Sequence, residues 1–320
     1  MTTSLDRPLA LVLGATGGIG GAMADRLLAS GYRVRAMNRN PARGAADRPA
    51  LEWVRGDCMR AQDVRAAAEG AGIIVHAVNP PGYRDWESLV LPMIDNTIAA
   101  AAEVGARIVL PGTIYNYGPD SFPVIEEDSP QNPLTSKGRI RVAMEARLAE
   151  AARRGVPVLI VRAGDFFGPG AANSWFSQGM ITPGKPVTAM SLPNLPGVGH
   201  SWAFLPDVAE TMMRLLALGE KLPRFARFHM RGVWDEDGTA LLDAVRRVAR
   251  RPVKASRLPW WALRLAAPFH RLSRELVGMR HVWSEPIRLD NSRLVATLGE
   301  EPHTPLDEAI LRTLVAFKAL

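Results

Sequence analysis

The clearest chemical signature in the sequence is carried by glycines. Leu9-Ala-Leu-Val-Leu-Gly14-Ala-Thr16-Gly17-Gly18-Ile19-Gly20-Gly21 is an apolar strand running into a glycine turn that opens a helix. Glycines at 14, 17 and 20 permit a tight turn, let the backbone approach a pyrophosphate and let the helix pack close on the strand. Free N–H groups at the helix start then bind the anion. The spacing is GxxGxxG, and Thr16 and Ile19 belong to the same binding turn. One strand later, Asn38-Arg39-Asn40-Pro41-Ala42-Arg43 stands where a dinucleotide-binding fold reads the ribose. A carboxylate that would repel a 2′-phosphate is absent, and the guanidinium groups of Arg39 and Arg43 could clasp one. NADP is therefore expected, with NAD the lesser alternative, and Asn38 and Arg39 join the cofactor set.

These groups need a scaffold, and the first half of the chain supplies a regular alternation of strands and helices, the pattern of βαβ units and a parallel sheet. Strands are expected at 9–13, 33–37, 51–55, 73–77, 107–110 and 158–161, with helices at 20–30, 61–70, 86–104 and 134–154. After about residue 165 the rhythm breaks: 166–199 is rich in Gly, Pro, Asn and Ser, and a helix (206–218) and a strand (224–230) precede a mostly helical remainder. The expected division is a dinucleotide-binding domain of 1–165 and 201–232, and a substrate lobe of 166–200 and 233–320.

Composition excludes several classes. The chain has 320 residues, 47% hydrophobic and 22% charged, so it has the means to build a core and is neither disordered nor fibrous. Its single cysteine, Cys58, cannot form an intramolecular disulfide, which fits a reducing compartment. The N-terminus lacks signal-peptide organisation, and no apolar run approaches the roughly 18 residues of a membrane span. A cytoplasmic protein is expected. The six histidines show no metal-ligand spacing, so no metal is expected.

Further residues fall into a recognisable order. Gly14-Ala-Thr16-Gly17-Gly18-Ile19-Gly20 is followed by Gly56-Asp57-Cys58, His76-Ala77-Val78, Asn96, Thr113 with Tyr117-Gly118, and Arg162 with Phe167-Gly168-Pro169-Gly170. Phe204-Leu-Pro-Asp207 and the late Asp290, Leu298-Gly299 and Pro302 complete the series. In this order and spacing the chain resembles the extended branch of the short-chain dehydrogenase/reductase superfamily, the NAD(P)-dependent epimerases and dehydratases, over nearly its whole length. The resemblance implies an α/β fold, a Rossmann-type doubly wound parallel sheet with a smaller, mostly helical C-terminal substrate lobe. It also implies that Asp57 and Cys58 line the adenine pocket, that Ala77 and Val78 line the middle of the cofactor, and that Lys137 holds the nicotinamide ribose. Asp57 read by itself has a turn former as its lesser alternative. Asn79-Pro80-Pro81 reads as a rigid exit from the fourth strand or as a plain turn.

Members of this branch use a tyrosine as general acid/base and a lysine one helical turn later. Here the corresponding segment is Gln131-Asn132-Pro133-Leu134-Thr135-Ser136-Lys137, so Lys137 matches the lysine and Pro133 replaces the tyrosine. The chain's four tyrosines are Tyr32, Tyr83, Tyr115 and Tyr117, all upstream. Thr113 keeps the position of the family's hydroxyl, and either Tyr115 or Tyr117 could serve as the acid with Lys137 lowering its pKa. Both phenols could also be packing residues. Pro133 is expected to help start the helix at 134.

In the C-terminal part, Phe166, Phe167, Trp175, Phe176, Trp202 and Trp234 point to a bulky, partly apolar pocket or to lobe packing. Leu258, Trp261, Leu265, Phe269, Leu272 and Leu276 recur at helical spacing with Arg257, Arg264, Arg271 and Arg274 elsewhere on the wheel. The favoured reading is a stripe capping the lobe with snorkelling arginines, and a membrane-surface or partner face is the alternative. The whole chain carries +7, yet 246–281 alone holds ten Arg/Lys against Glu275, so the excess is local. An anionic or aromatic small substrate fits it, no nucleic-acid motif accompanies it, and a homodimer is compatible. The expected function is NADP-dependent oxidation or reduction of a carbonyl or alcohol on a small organic molecule, with an atypical active site. Epimerase or dehydratase chemistry is a variant, and a non-catalytic NADP-binding sensor is the alternative from another class.

Overall fold

The structure is a computed structural model that describes residues 7–80 and 86–320, except for the side chains at 271, 272 and 275. Pro81 and Tyr83 therefore lie outside the described residues, as do the side chains of Arg271, Leu272 and Glu275.

The chain begins with β1 (Leu9–Leu13), α1 (Gly18–Ala29), β2 (Arg33–Asn38), α2 (Pro41–Asp47), β3 (Glu52–Arg55), α3 (Ala61–Ala68), β4 (Ala71–His76), α4 (Trp86–Val104) and β5 (Arg107–Gly112). It continues with β6 (Val124–Ile125), α5 (Ser136–Arg153), β7 (Val158–Arg162), β8 (Asp165–Phe167), β9 (Ala189–Leu192), β10 (His200–Phe204), α6 (Leu205–Leu216), β11 (Phe225–His229) and β12 (Val233–Asp235). The last third carries α7 (Ala240–Ala249), β13 (Lys254–Arg257), α8 (Trp260–Ala266), α9 (Arg271–Gly278), β14 (Arg288–Leu289), α10 (Ser292–Leu298) and α11 (Leu306–Ala316). Two compact units result: Met1–Gly112 with Ile140–Arg162 and Val208–Phe228, and Thr113–Arg139 with Ala163–Asp207 and His229–Leu320. Segment 113–139, placed with the dinucleotide-binding domain by sequence, thus packs within the second unit.

The first unit is built on one seven-stranded sheet in the order β11-β7-β5-β4-β1-β2-β3. Its registered pairs are parallel, with Leu9 opposite Arg33 between β1 and β2 and Leu13 opposite His76 between β1 and β4. β1 and β7 are buried along their full length, as central parallel strands covered on both faces should be. β3 is an edge strand and is only half-buried, so its sequence reads less cleanly. The order reverses beside β1, and a doubly wound sheet opens a ligand crevice at such a switch point.

Two local features position this unit. α2, which the sequence reading missed, starts on Pro41 and lies on Trp53; a Cβ at Gly44 would come within 2.5 Å of that indole, so only glycine lets the helix settle there. Arg162 at the end of β7 forms a fully buried bidentate pair with Glu145 of α5, at 2.9 and 2.7 Å. Removing either partner of such a pair strands a buried charge, which costs about 3–5 kcal/mol.

His76 closes β4 and is buried. Its Nδ1 lies 2.8 Å from Thr97 Oγ1, whose hydroxyl donates to the Met93 carbonyl, so the imidazole donates from Nδ1. Desolvation, reinforced by the charge of Arg141, pushes its pKa down from 6.5 to about 3. Between those values the unfolded chain binds a proton that the native chain refuses, so stability is lost as pH falls below 6.5. Equilibrium denaturation of wild type and His76→Gln checks this: the variant should gain on wild type by about 1.4 kcal/mol per pH unit as pH falls from 6 to 4. A difference independent of pH would contradict it.

The second unit carries three small sheets, β12-β10-β8, β13-β9 and β14-β6, among helices α7 to α11. Phe167, Trp175, Phe176 and Trp202 are buried in its core, whereas Phe166 and Trp234 are half-buried. The first four therefore pack the unit. Each such side chain contributes roughly 1.5–3 kcal/mol by leaving water.

Among the described residues, no helix is long and apolar enough to cross a membrane, and no group of three His, Cys, Asp or Glu could hold a metal ion.

Candidate functional site

In the first unit, β1 delivers the chain into a turn that only glycine can make. Gly14 has φ +94°, and a Cβ there would lie 2.5 Å from the Ala77 carbonyl oxygen at the end of β4. A Cβ at Gly20 would lie 2.2 Å from the Gly14 carbonyl oxygen. Gly17 N–H donates to the same carbonyl at 2.9 Å and caps α1, leaving the first helical N–H groups unengaged by any side-chain cap. Thr16 and Gly17 form the exposed crest, and Gly18 and Ile19 are half-buried behind it. This cradle has the backbone donors and the absent side chains that a pyrophosphate needs.

The ends of the neighbouring strands complete the unit's site. Asn38 Oδ1 accepts from Asn40 N–H at 2.8 Å, which turns the chain and leaves Arg39 exposed, as is Arg43. Asp57 Oδ1 accepts from Met59 N–H at 3.0 Å, so the carboxylate shapes its own turn. Cys58 is buried, and desolvation followed by the nearby Asp57 charge raises its thiol pKa to about 12, with Arg39 opposing; it is an inert packing thiol. Asn96 holds the Cys58 carbonyl at 2.8 Å, which gives the asparagine of the sequence series a structural purpose. Ala77 N–H bonds to the Leu13 carbonyl at 2.9 Å, and Ala77 and Val78 are half-buried at the strand end. Asn79 Oδ1 receives Arg141 at 3.2 Å.

In the second unit, the loop after β5 sorts the two phenols. A 3₁₀ turn at Ile114–Asn116 sends them in different directions. Tyr117 is fully buried. His229 Nδ1 can only donate to the Ile125 carbonyl, 3.2 Å away, so its Nε2 accepts from the Tyr117 hydroxyl at 3.3 Å. The Tyr117 hydroxyl is therefore turned into the interior of the unit. Tyr115 and Thr113 are half-buried. The Tyr115 hydroxyl donates to Asp165 Oδ1 at 3.2 Å, and Asp165 Oδ2 lies 2.8 Å from His200 Nε2. The imidazole is fully buried, stacks on Trp283 with ring centres 4.0 Å apart, and meets the edge of Trp202. Its Nδ1 has no hydrogen-bond partner among the described residues.

The helix that brings Lys137 starts later than expected. α5 begins at Ser136, with Thr135 Oγ1 accepting from Gly138 N–H at 3.0 Å, so Thr135 is the cap and Pro133 stands outside the helix. The proline instead packs on Gly138: a Cβ on that glycine would lie 2.3 Å both from Pro133 Cβ and from the Tyr115 carbonyl oxygen. Lys137, buried in the first helical turn, is thus carried by the element that backs Tyr115. Asp165 and His200 were missed by sequence. They are 35 residues apart, and only the β8–β10 pairing, with Trp202 opposite Asp165, brings them together.

Comparison with solved structures gives the same fold. UDP-glucuronic acid 4-epimerase from Bacillus cereus, in complex with UDP-glucuronic acid and NAD, superposes with a TM-score of 0.76 over 97% of this chain and 99% of its own, at 14% identity. The Bordetella bronchiseptica enzyme WbmH in complex with NAD+ gives 0.72 over 98% of each chain at 20% identity. No curated protein matches. A model of the NAD dependent epimerase/dehydratase family matches residues 10–224, the span that holds the glycine cradle, the Tyr115 loop, Lys137 and Asp165, and the chain belongs to that enzyme family.

Proposed function

We propose that this protein is an NADP-dependent oxidoreductase acting on a carbonyl or alcohol of a small organic substrate, with Tyr115 in place of the family's tyrosine. The observation that carries the reading is the Tyr115–Asp165–His200 chain: the one phenol of the loop not turned into the core rests on a carboxylate that a buried imidazole supports from behind. A bound nicotinamide dinucleotide supplies or accepts the hydride. In the oxidising direction, a substrate hydroxyl hands its proton to the Tyr115 oxygen while the Tyr115 proton passes to Asp165 Oδ1; in the reducing direction both transfers reverse. His200 Nε2–H stabilises the carboxylate when it is charged. Thr113 polarises the reacting oxygen, and Lys137 holds the nicotinamide ribose and favours the ionised phenol. Gly14, Thr16, Gly17, Ile19 and Gly20 hold the pyrophosphate, and Ala77 and Val78 the middle of the cofactor. The solved structures with bound NAD support a nicotinamide dinucleotide as such.

NADP is preferred in this reading because Arg39 and Arg43 are exposed at the end of β2 and no acid accompanies them there. Fluorescence titration should give NADPH at least about tenfold tighter binding than NADH, a gap that Arg39→Ala closes by weakening NADPH alone. Equal affinities in the wild type would remove the preference. Turnover itself is tested by following NADPH oxidation against a panel of aromatic and anionic aldehydes and ketones. Consumption supports the oxidoreductase, and saturating NADPH binding with no consumption across the panel favours the sensor.

A further inference from the structure

The helical stripe expected to cap the lobe does not do so. On α8 the inward positions are taken by Trp260, whose indole N–H donates to the Pro193 carbonyl at 2.9 Å, and by Leu263. With the core already filled, Trp261, Leu265 and Phe269 project outward with 70%, 70% and 92% of their surface exposed. They follow one another at four-residue steps along a single ridge, continued past the end of α8. Leu258 and Leu276 remain half-buried against the core.

Among the described residues, the charged side chains on the flanking elements β13, α8 and α9 are basic. Arg264 lies on α8 itself, Lys254 and Arg257 on the exposed edge strand before it, and Arg274 on α9. Arg274 is fixed beside the ridge by donating to the Ala267 and Pro268 carbonyls at 3.2 and 3.0 Å. Among the described residues, none of Arg257, Arg264 and Arg274 has a carboxylate within ion-pair distance. Next to the ridge, Arg257, Arg280, Trp260 and Trp261 line a recess of about 350 Å³ together with Asn194 and Pro196. Arg280 Nε is buried there with no hydrogen-bond partner among the described residues.

We infer that this ridge docks on the surface of an anionic lipid bilayer, with Trp261, Leu265 and Phe269 entering the boundary between headgroups and acyl chains and Arg257, Arg264 and Arg274 meeting the lipid phosphates. An apolar row with Trp and Phe, flanked by arginines on a short amphipathic element, has the composition of an interfacial helix. Basic residues within a Debye length of an anionic leaflet are attracted to it. The size of the ridge favours lipid over protein: three such side chains offer at most roughly 600 Å², below the ~800 Å² per partner of a stable protein interface. A fluid bilayer needs no complementary pocket to accept them. This inference is independent of the catalytic reading.

The test is flotation of the intact protein with vesicles of phosphatidylcholine and phosphatidylglycerol mixed roughly seven to three, near physiological salt. Wild type should co-float, and should be left behind by vesicles of phosphatidylcholine alone. A Trp261→Ser, Leu265→Ser, Phe269→Ser triple variant and an Arg257→Gln, Arg264→Gln, Arg274→Gln triple variant should each lose about a hundredfold in partitioning while remaining folded by circular dichroism. No flotation of wild type, equal flotation on neutral vesicles, or full flotation of the apolar variant overturns the inference. So does a wild-type dimer that the apolar variant converts to monomer, which would assign the ridge to a second copy of the chain.

Discussion

Tyr115→Phe should lower NADPH-dependent turnover by about 10²–10⁴-fold while leaving cofactor affinity unchanged, the range expected for loss of a positioned general acid. The change removes one oxygen that is half-buried and bonded to Asp165, so packing is retained and proton transfer is not. Tyr117→Phe is the control. Its hydroxyl is fully buried on His229, so its loss should cost about 1 kcal/mol of stability, with little effect on turnover. Asp165→Asn keeps the shape but cannot accept the proton, and it should lower turnover in the oxidising direction while leaving cofactor affinity unchanged. If Tyr117→Phe and Tyr115→Phe exchange these effects, the assignment of the acid is wrong.

Gly20→Ala should abolish useful NADPH binding, weakening it at least about a hundredfold. The added Cβ would stand 2.2 Å from the Gly14 carbonyl oxygen and 3.2 Å from Ala77 Cβ, so α1 must back away from β1 and β4. That movement takes the helix N–H groups away from the pyrophosphate, and each charge-assisted hydrogen bond lost costs about 1.5–3 kcal/mol. The overpacking adds about 1–3 kcal/mol of destabilisation, which a melting curve reads separately. Gly31→Ala serves as the contrast. That glycine has φ +86° but nothing within 4 Å of its Cβ position, so substitution strains the turn without touching the cradle.

What was legible in the sequence was what local chemistry decides. The strand, glycine turn and helix at 9–29 are read from neighbours within a few residues, and β1 and α4 fall where the periodicity places them. Helix starts depend on single caps, and Thr135 rather than Pro133 supplies the one for α5. The two phenols were indistinguishable because they stand two residues apart in a turn whose direction is set by distant partners, Asp165 for one and His229 for the other. His200 was visible only as a histidine without metal spacing; its pairing with Asp165 belongs to strand register. Trp260 and Trp261 are adjacent and alike in sequence, and only the tertiary contact with Pro193 decides which one faces water.

The central proposal is that the glycine cradle of the first unit binds a nicotinamide dinucleotide. Equilibrium titration of the intact protein with NADPH, run beside Gly20→Ala, tests it most directly. The wild type should bind one equivalent, and the variant should bind at least about a hundredfold more weakly. A wild type that fails to bind NADPH, or a variant that binds it as well, would contradict it.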